Sequence, residues 1–287
     1  MKRFCAAALL VFATAFPALA QNRPATDHYF TTSDNVRLHY SESGNPRAPM
    51  IILVPGWTMP AWIFAPQIRY LSPHYHVIAF DPRGQGSSAI APAGYNQFRR
   101  GQDIAELIAH LHTQHAVILG WSLGVLDTLA YIHQYGDADI AGLILVDNSV
   151  GENPPPSPAP EERHSMPVSH SAYMRAFVAA MFHTQQSPAY LNRLTAATLR
   201  LPEYDARALL EYSVPRSYWR EAIFSTSKPV LYIVRPHLNG QAQNLLIDRP
   251  NTEIAIFPHA GHALFVDNAT QFNALVGKFL KTQIQPR

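Results

Sequence analysis

The chain holds 287 residues, 47% of them hydrophobic and 15% charged, which suits one large α/β domain with a sizeable core and is short for two. Its 22 basic and 20 acidic residues nearly balance, which excludes a global basic field for nucleic acid or anionic lipid. A single cysteine, Cys5, excludes a disulfide framework.

Lys2 and Arg3 open the chain, residues 4–16 are almost wholly apolar, and Ala18-Leu19-Ala20 is a small-x-small signal before Gln21. This pattern predicts a secretory signal peptide over 1–20, cleaved after Ala20, because the apolar run is short for a transmembrane helix. Cleavage would remove Lys2, Arg3 and Cys5, leaving a mature chain of near-zero net charge with no thiol. The expectation is a secreted or periplasmic protein with one domain over 21–287 and no stable membrane insertion.

Residues 28–33 and 36–41 read as two short strands around the Ser33-Asp34-Asn35 turn. Residues 50–54 and 76–80 are apolar runs ended by Pro55-Gly56 and Asp81-Pro82, as buried parallel strands are. A helix is expected over 62–71, and another over 98–112, where Ile104, Leu107, Ile108 and Leu111 recur at helical spacing. Residues 116–119 form the next strand, 123–135 a helix closed by Gly136, and 142–146 a strand. Strands over 230–234 and 253–257 and a helix over 269–280 complete the alternation. Strands alternating with helices predict an α/β, doubly wound, mostly parallel sheet.

Residues 151–227 interrupt that rhythm. They start with a Pro-rich stretch and continue as helical patches with no strand-like run. The economical reading is a helical cap inserted over the C-terminal edge of the sheet. Tyr173, Phe177 and Met181 share one helical face there and, with Trp57 and Trp121, are candidate linings of a mainly apolar substrate pocket.

Gly120-x-Ser122-x-Gly124 stands where a predicted strand meets a predicted helix. That context suits a nucleophile elbow, in which a sharp turn projects the central side chain and a helix N-terminus aims N–H groups at developing negative charge. The five-residue pattern is weak alone, and its place between strand and helix strengthens it.

Four stretches, "LVPGW" after the third predicted strand, "DPRGQGSS" after the fourth, "GWSLG" after the fifth and "HAGHALFVD" after the last, have an order and spacing that resemble the α/β-hydrolase superfamily over nearly all of the mature chain. The resemblance implies the α/β-hydrolase fold with a helical cap. It further implies Ser122 as nucleophile, His262 of Gly261-His262 as base, and the backbone N–H groups of Trp57 and Leu123 as oxyanion hole. Asp81 and Arg83 would fix a turn. Most relatives carry the acid after the strand that is 230–234 here, yet "VLYIVRPHLNGQAQN" has no Asp or Glu. A minority take it from the preceding strand, where Asp147 stands. Asp147 is therefore the expected acid, with Glu152 and Asp248 in reserve.

The leading expectation is a secreted serine hydrolase that cleaves a carboxylic ester or lactone through an acyl-enzyme, with a pocket for a small or medium acyl or alkyl group. "PGWTMPAWIF" also resembles the corresponding loop of cofactor-free haloperoxidases, perhydrolases and aryl esterases, so the same triad could serve peroxide, amide or carbon–carbon chemistry. A non-catalytic binding protein on this fold would need neither the elbow nor the base. The chain lacks HExxH, P-loop and GxGxxG motifs. No metal or organic cofactor is implied, and the partner is a small molecule rather than nucleic acid.

Overall fold

The computed structural model describes residues 25–155 and 169–284. The expected signal peptide, and the Pro-rich stretch beyond Pro155, lie outside the described residues. Eight strands form one sheet: β1 (Thr26–Thr31), β2 (Arg37–Ser43), β3 (Met50–Val54), β4 (His76–Asp81), β5 (Ala116–Trp121), β6 (Ile140–Val146), β7 (Val230–Val234) and β8 (Thr252–Ile256). Their order is β1-β2-β4-β3-β5-β6-β7-β8. β2 runs antiparallel to both its neighbours, β1 and β4, while every other neighbouring pair is parallel.

The helices are α1 (Ala65–Leu71), α2 (Gln97–His110), α3 (Leu123–Tyr135), α4 (His170–Ala180), α5 (Pro188–Thr198), α6 (Glu203–Ala208), α7 (Ser217–Ser225), α8 (Asn239–Asp248), α9 (Leu264–Asp267) and α10 (Ala269–Phe279). None of them is long and apolar enough to cross a membrane.

The central strands are apolar on both faces because a core lies on each side. Ile51, Leu53, Val117, Leu119, Ile144 and Leu231 point into one core. Their neighbours Ile52, Val54, Ile118, Leu143 and Tyr232 point into the other, as the two-residue pleat demands. Chain order reverses around β3, which lies between β4 and β5. Such a switch point opens a crevice at the carboxyl ends of the strands, and both Trp57 and Ser122 follow strands that end there.

Three elements depart from expectation. Trp62 belongs to a 3₁₀ turn, Ala61–Phe64, that precedes α1, with Pro66 in the first turn of the α-helix. The segment after β7, for which the sequence offers no helical pattern, contains α8, whose polar sequence carries little amphipathic signal. The four helices α4–α7 fill the expected cap region, but α7 packs against α3 beside the sheet, with Tyr218, Trp219, Ala222 and Ile223 buried. It is thus the crossover helix that precedes β7, as parallel pairing of β6 and β7 requires.

The loop after β4 is held at both ends. Asp81 accepts hydrogen bonds from the Ala61 N–H at 2.6 Å and the Ser87 N–H at 2.8 Å, and lies 2.7 Å from His39 Nδ1. Buried Arg83 donates from Nε and Nη2 to the two oxygens of Asp103, both at 2.7 Å. Removing Asp103 would leave buried Arg83 with only the more exposed Asp34, at 3.0 Å, as a carboxylate partner, and would take away the acceptor of its Nε. Asp103→Ala is therefore expected to lower unfolding free energy by about 3–5 kcal/mol in urea titrations.

Candidate active site

Ser122 sits between β5 and α3 with φ 54° and ψ −122°, a left-handed conformation that costs a non-glycine residue energy. The turn is tight because its flanks touch. A Cβ on Gly120 would lie 2.4 Å from Gly124 O, and one on Gly124 would lie 2.3 Å from Val54 O. Both positions therefore exclude any side chain. The Ser122 N–H donates to Val146 O at 2.9 Å, so the turn stays in register with β6.

His262 follows β8, and its Nε2 lies 2.8 Å from Ser122 Oγ. The loop carrying it is held from two sides. Trp121 Nε1 donates to the His262 carbonyl at 2.9 Å, and the Gly261 N–H donates to Asp267 at 2.7 Å.

Asp147 is the first residue beyond β6, with φ 51° and its N–H on Ile233 O at 2.8 Å. Its Oδ2 lies 2.7 Å from His262 Nδ1. A proton on Nδ1, donated to this carboxylate, leaves Nε2 free to accept from the Ser122 hydroxyl. The reserve acids lie elsewhere. Glu152 pairs with Arg220 at 3.1 Å, and Asp248, at the end of α8, lies 3.3 Å from the same guanidinium.

A residue not foreseen stands in this relay. Arg235, just beyond β7, donates from Nε to Asp147 Oδ2 at 2.6 Å and from its backbone N–H to Oδ1 at 3.0 Å. Its Nη2 lies 3.5 Å from His262 Nδ1. With the Nδ1 proton directed at Asp147, that approach is a cation beside a ring rather than a hydrogen bond. Burial alone would raise the Asp147 carboxyl, but the His262 hydrogen bond and charge, joined by Arg235, outweigh it and hold the group below its ordinary value.

The relay borders a cavity of about 290 Å³ lined by Trp57, Leu123, Leu210, Tyr212 and Leu238, with Asn148, Ser149, Arg235 and His237 beside Ser122 and His262. Burial holds the His237 imidazole below its ordinary value, with Arg235 and His262 adding to this and Asp147 opposing it. The lining is more polar than expected. Of the five candidate pocket side chains, Trp57 lines the cavity, and Phe177 meets it edge-on with centroids 5.1 Å apart. Tyr173 is 50% exposed and stacks on Phe177. Trp121 and Met181 are buried in the core, because the β5 pleat turns Trp121 toward Phe64 and Phe265. A larger hollow, about 1040 Å³, lies at the amino ends of the strands against Met50, His76 and Ala141. Among the described residues no three His, Cys, Asp or Glu come together as a metal site.

Residues 51–275 match the model of the alpha/beta hydrolase family. The chain belongs to that family. One relative, the bifunctional esterase/perhydrolase DCH of Acinetobacter calcoaceticus, is 30% identical over 120 residues, a match that spans 41% of this hydrolase and only 43% of the relative. The pimeloyl-acyl-carrier protein methyl ester esterase of Xylella fastidiosa is 24% identical over 255 residues, 82% of this chain and 96% of the relative. The crystal structure of a bromoperoxidase from Bacillus anthracis superposes with a TM-score of 0.75 at 18% identity, covering 89% of this chain and 100% of that one. At that identity the likeness shows the fold alone.

A carboxyl whose folded value is depressed stabilises the protein above its unfolded value, here 3.8, and ceases to do so as pH falls through the folded value. Arg235→Leu removes part of that depression. The variant is expected to melt below the wild type at neutral pH, and the gap should narrow as pH falls below 3.8 and through the depressed folded value of Asp147. Thermal melts across that range check this.

Proposed function

We propose that this hydrolase is a serine esterase acting on a small carboxylic ester or lactone through an acyl-enzyme. The observation that carries the proposal is the unbroken relay from Ser122 Oγ through His262 to Asp147, at 2.8 and 2.7 Å. Both distances lie within reach of proton transfer in a hydrolase triad.

In this reading Ser122 Oγ attacks the carbonyl carbon while its proton passes to His262 Nε2. Negative charge gathers on the carbonyl oxygen, where the N–H groups of Trp57 and Leu123 stabilise it. Asp147 keeps the ring oriented and offsets the imidazolium charge. Collapse breaks the bond to the alkoxy group, which leaves with the proton from His262. Water then attacks the acyl carbon as His262 takes its proton, and the acid departs with Ser122 regenerated. The cavity of about 290 Å³ favours short acyl groups, and its polar rim suits an oxygen-bearing leaving group.

A second reading uses the same acyl-enzyme with hydrogen peroxide in place of water, giving a peracid. The relative from Acinetobacter, named for both activities, favours keeping this arm in the assay. We further propose export, on the pattern of residues 1–20 alone. A mature N-terminus at Gln21, read by mass spectrometry of the expressed protein, supports this, and an intact Met1 refutes it.

Wild-type protein should be labelled by a fluorophosphonate probe and Ser122→Ala should not. Equal labelling, or labelling of neither, leaves a binding protein as the better reading. Asp147→Asn is expected to cut kcat by roughly 10⁴-fold, measured on nitrophenyl esters of graded acyl length, with the short chains turned over best.

A further inference from the structure

The "DPRGQGSS" loop contains a side chain that the relay leaves unexplained. Gln85 is wholly buried. Its Nε2 donates to Gly56 O at 2.9 Å and to Met59 O at 2.7 Å. Its Oε1 accepts from Arg100 Nη1 at 2.8 Å, and Arg100 in turn donates from Nε to buried Asp127 at 2.9 Å. The arginine fixes which end of the amide faces the carbonyls, since a guanidinium can only donate.

Gly56 O belongs to the same peptide unit as the Trp57 N–H. That unit is planar, and in the trans form its C=O and N–H point in opposite directions. Gripping the oxygen therefore aims the N–H, and a donor on a carbonyl also polarises the N–H across the amide. The Met59 N–H adds a second grip on the same oxygen at 3.1 Å.

The other peptide unit repeats the arrangement. Asn148 Nδ2 donates to Ser122 O at 2.9 Å, and the Val125 N–H donates to the same oxygen at 2.9 Å. Ser122 O shares its peptide unit with the Leu123 N–H. The Asn148 amide is oriented by the Ser149 N–H on Oδ1 at 2.8 Å, and its backbone carbonyl is held by Tyr232 OH at 2.8 Å. Each carbonyl thus takes one backbone donor and one carboxamide donor. The carboxamides come from the loops after β4 and β6, the strands that flank β3 and β5 on their outer sides.

We infer that Gln85 and Asn148 are paired positioning residues that aim the Trp57 and Leu123 N–H groups at the developing oxyanion. This rests on the serine-esterase reading. Neither side chain touches the reacting atoms in that role. Each acts through the peptide that it holds.

Gln85→Met keeps the length of the side chain and removes both donors. Asn148→Ala removes the second clamp and is independent of the buried arginine, so it keeps the inference testable where Gln85→Met does not fold. Loss of an oxyanion donor itself costs about 10²–10³ in kcat, so a misaimed donor is expected to cost about tenfold, with KM within about twofold. The discriminating probe is butylboronic acid. Its trigonal boron accepts the Ser122 Oγ lone pair, the hydroxyl proton passes to His262, and a boron-bound oxygen occupies the oxyanion position.

Boronate affinity is expected to fall by the same factor as kcat in each variant. A merely structural role would lower the melting temperature and leave that affinity unchanged. The inference is overturned if folded variants keep wild-type kcat and boronate affinity, or lose kcat without losing affinity. If wild type fails to take the fluorophosphonate probe, the serine reading falls and this inference falls with it. Wild-type labelling alongside unaltered variants overturns this inference alone.

Discussion

The site depends on one backbone turn. Ser122 occupies a left-handed conformation at the end of β5, and such a conformation costs on the order of 1–3 kcal/mol for a residue with a side chain. It persists because the surroundings leave the chain nowhere else to go. β3 presses on Gly124, and α3 presses back on Gly120. Asp147, at the end of the adjacent β6, has a positive φ as well. Two neighbouring strands therefore end in the same kind of abrupt turn. Each swings a polar side chain away from the pleat and into the crevice above the sheet.

The charges follow from that placement. A buried carboxylate is costly unless it is paired and hydrogen-bonded. Asp147 meets both conditions with groups from two distant loops, His262 after β8 and Arg235 after β7. Arg235 occupies the stretch where most relatives were expected to carry the acid. With the carboxylate on β6, an acid at this place would set like charges side by side, whereas a guanidinium there balances the one that is present.

Legibility in the sequence tracked the range of the interactions involved. The β5–Ser122–α3 joint could be read because glycine spacing and a change of periodicity are local signals. Gly261-His262 could be read from its position after the last strand. Asp147 emerged through the lack of a carboxylate after β7, which is negative evidence that a single sequence can supply. Arg235, Gln85 and Asn148 could not be assigned, since each acts on a partner 26 to 88 residues away and no pattern marks that pairing. The aromatic lining was misjudged for a related reason. Periodicity showed that Tyr173, Phe177 and Met181 share a face, but it could not say whether that face meets a cavity, the core or solvent. For α7, the sequence marked a helix but could not say whether it roofs the sheet or flanks it.

Trp57 joins two regions that chain order keeps far apart. Its indole N–H donates to Ala206 O, in α6, at 2.6 Å, while its backbone follows the Gly56 carbonyl held from below. Helix α6 therefore hangs from a residue that lines the cavity beside Ser122. Helix α6 cannot lift without either breaking that buried hydrogen bond or dragging Trp57 with it. The position of α6 and the placement of Trp57 beside Ser122 are thus mechanically coupled.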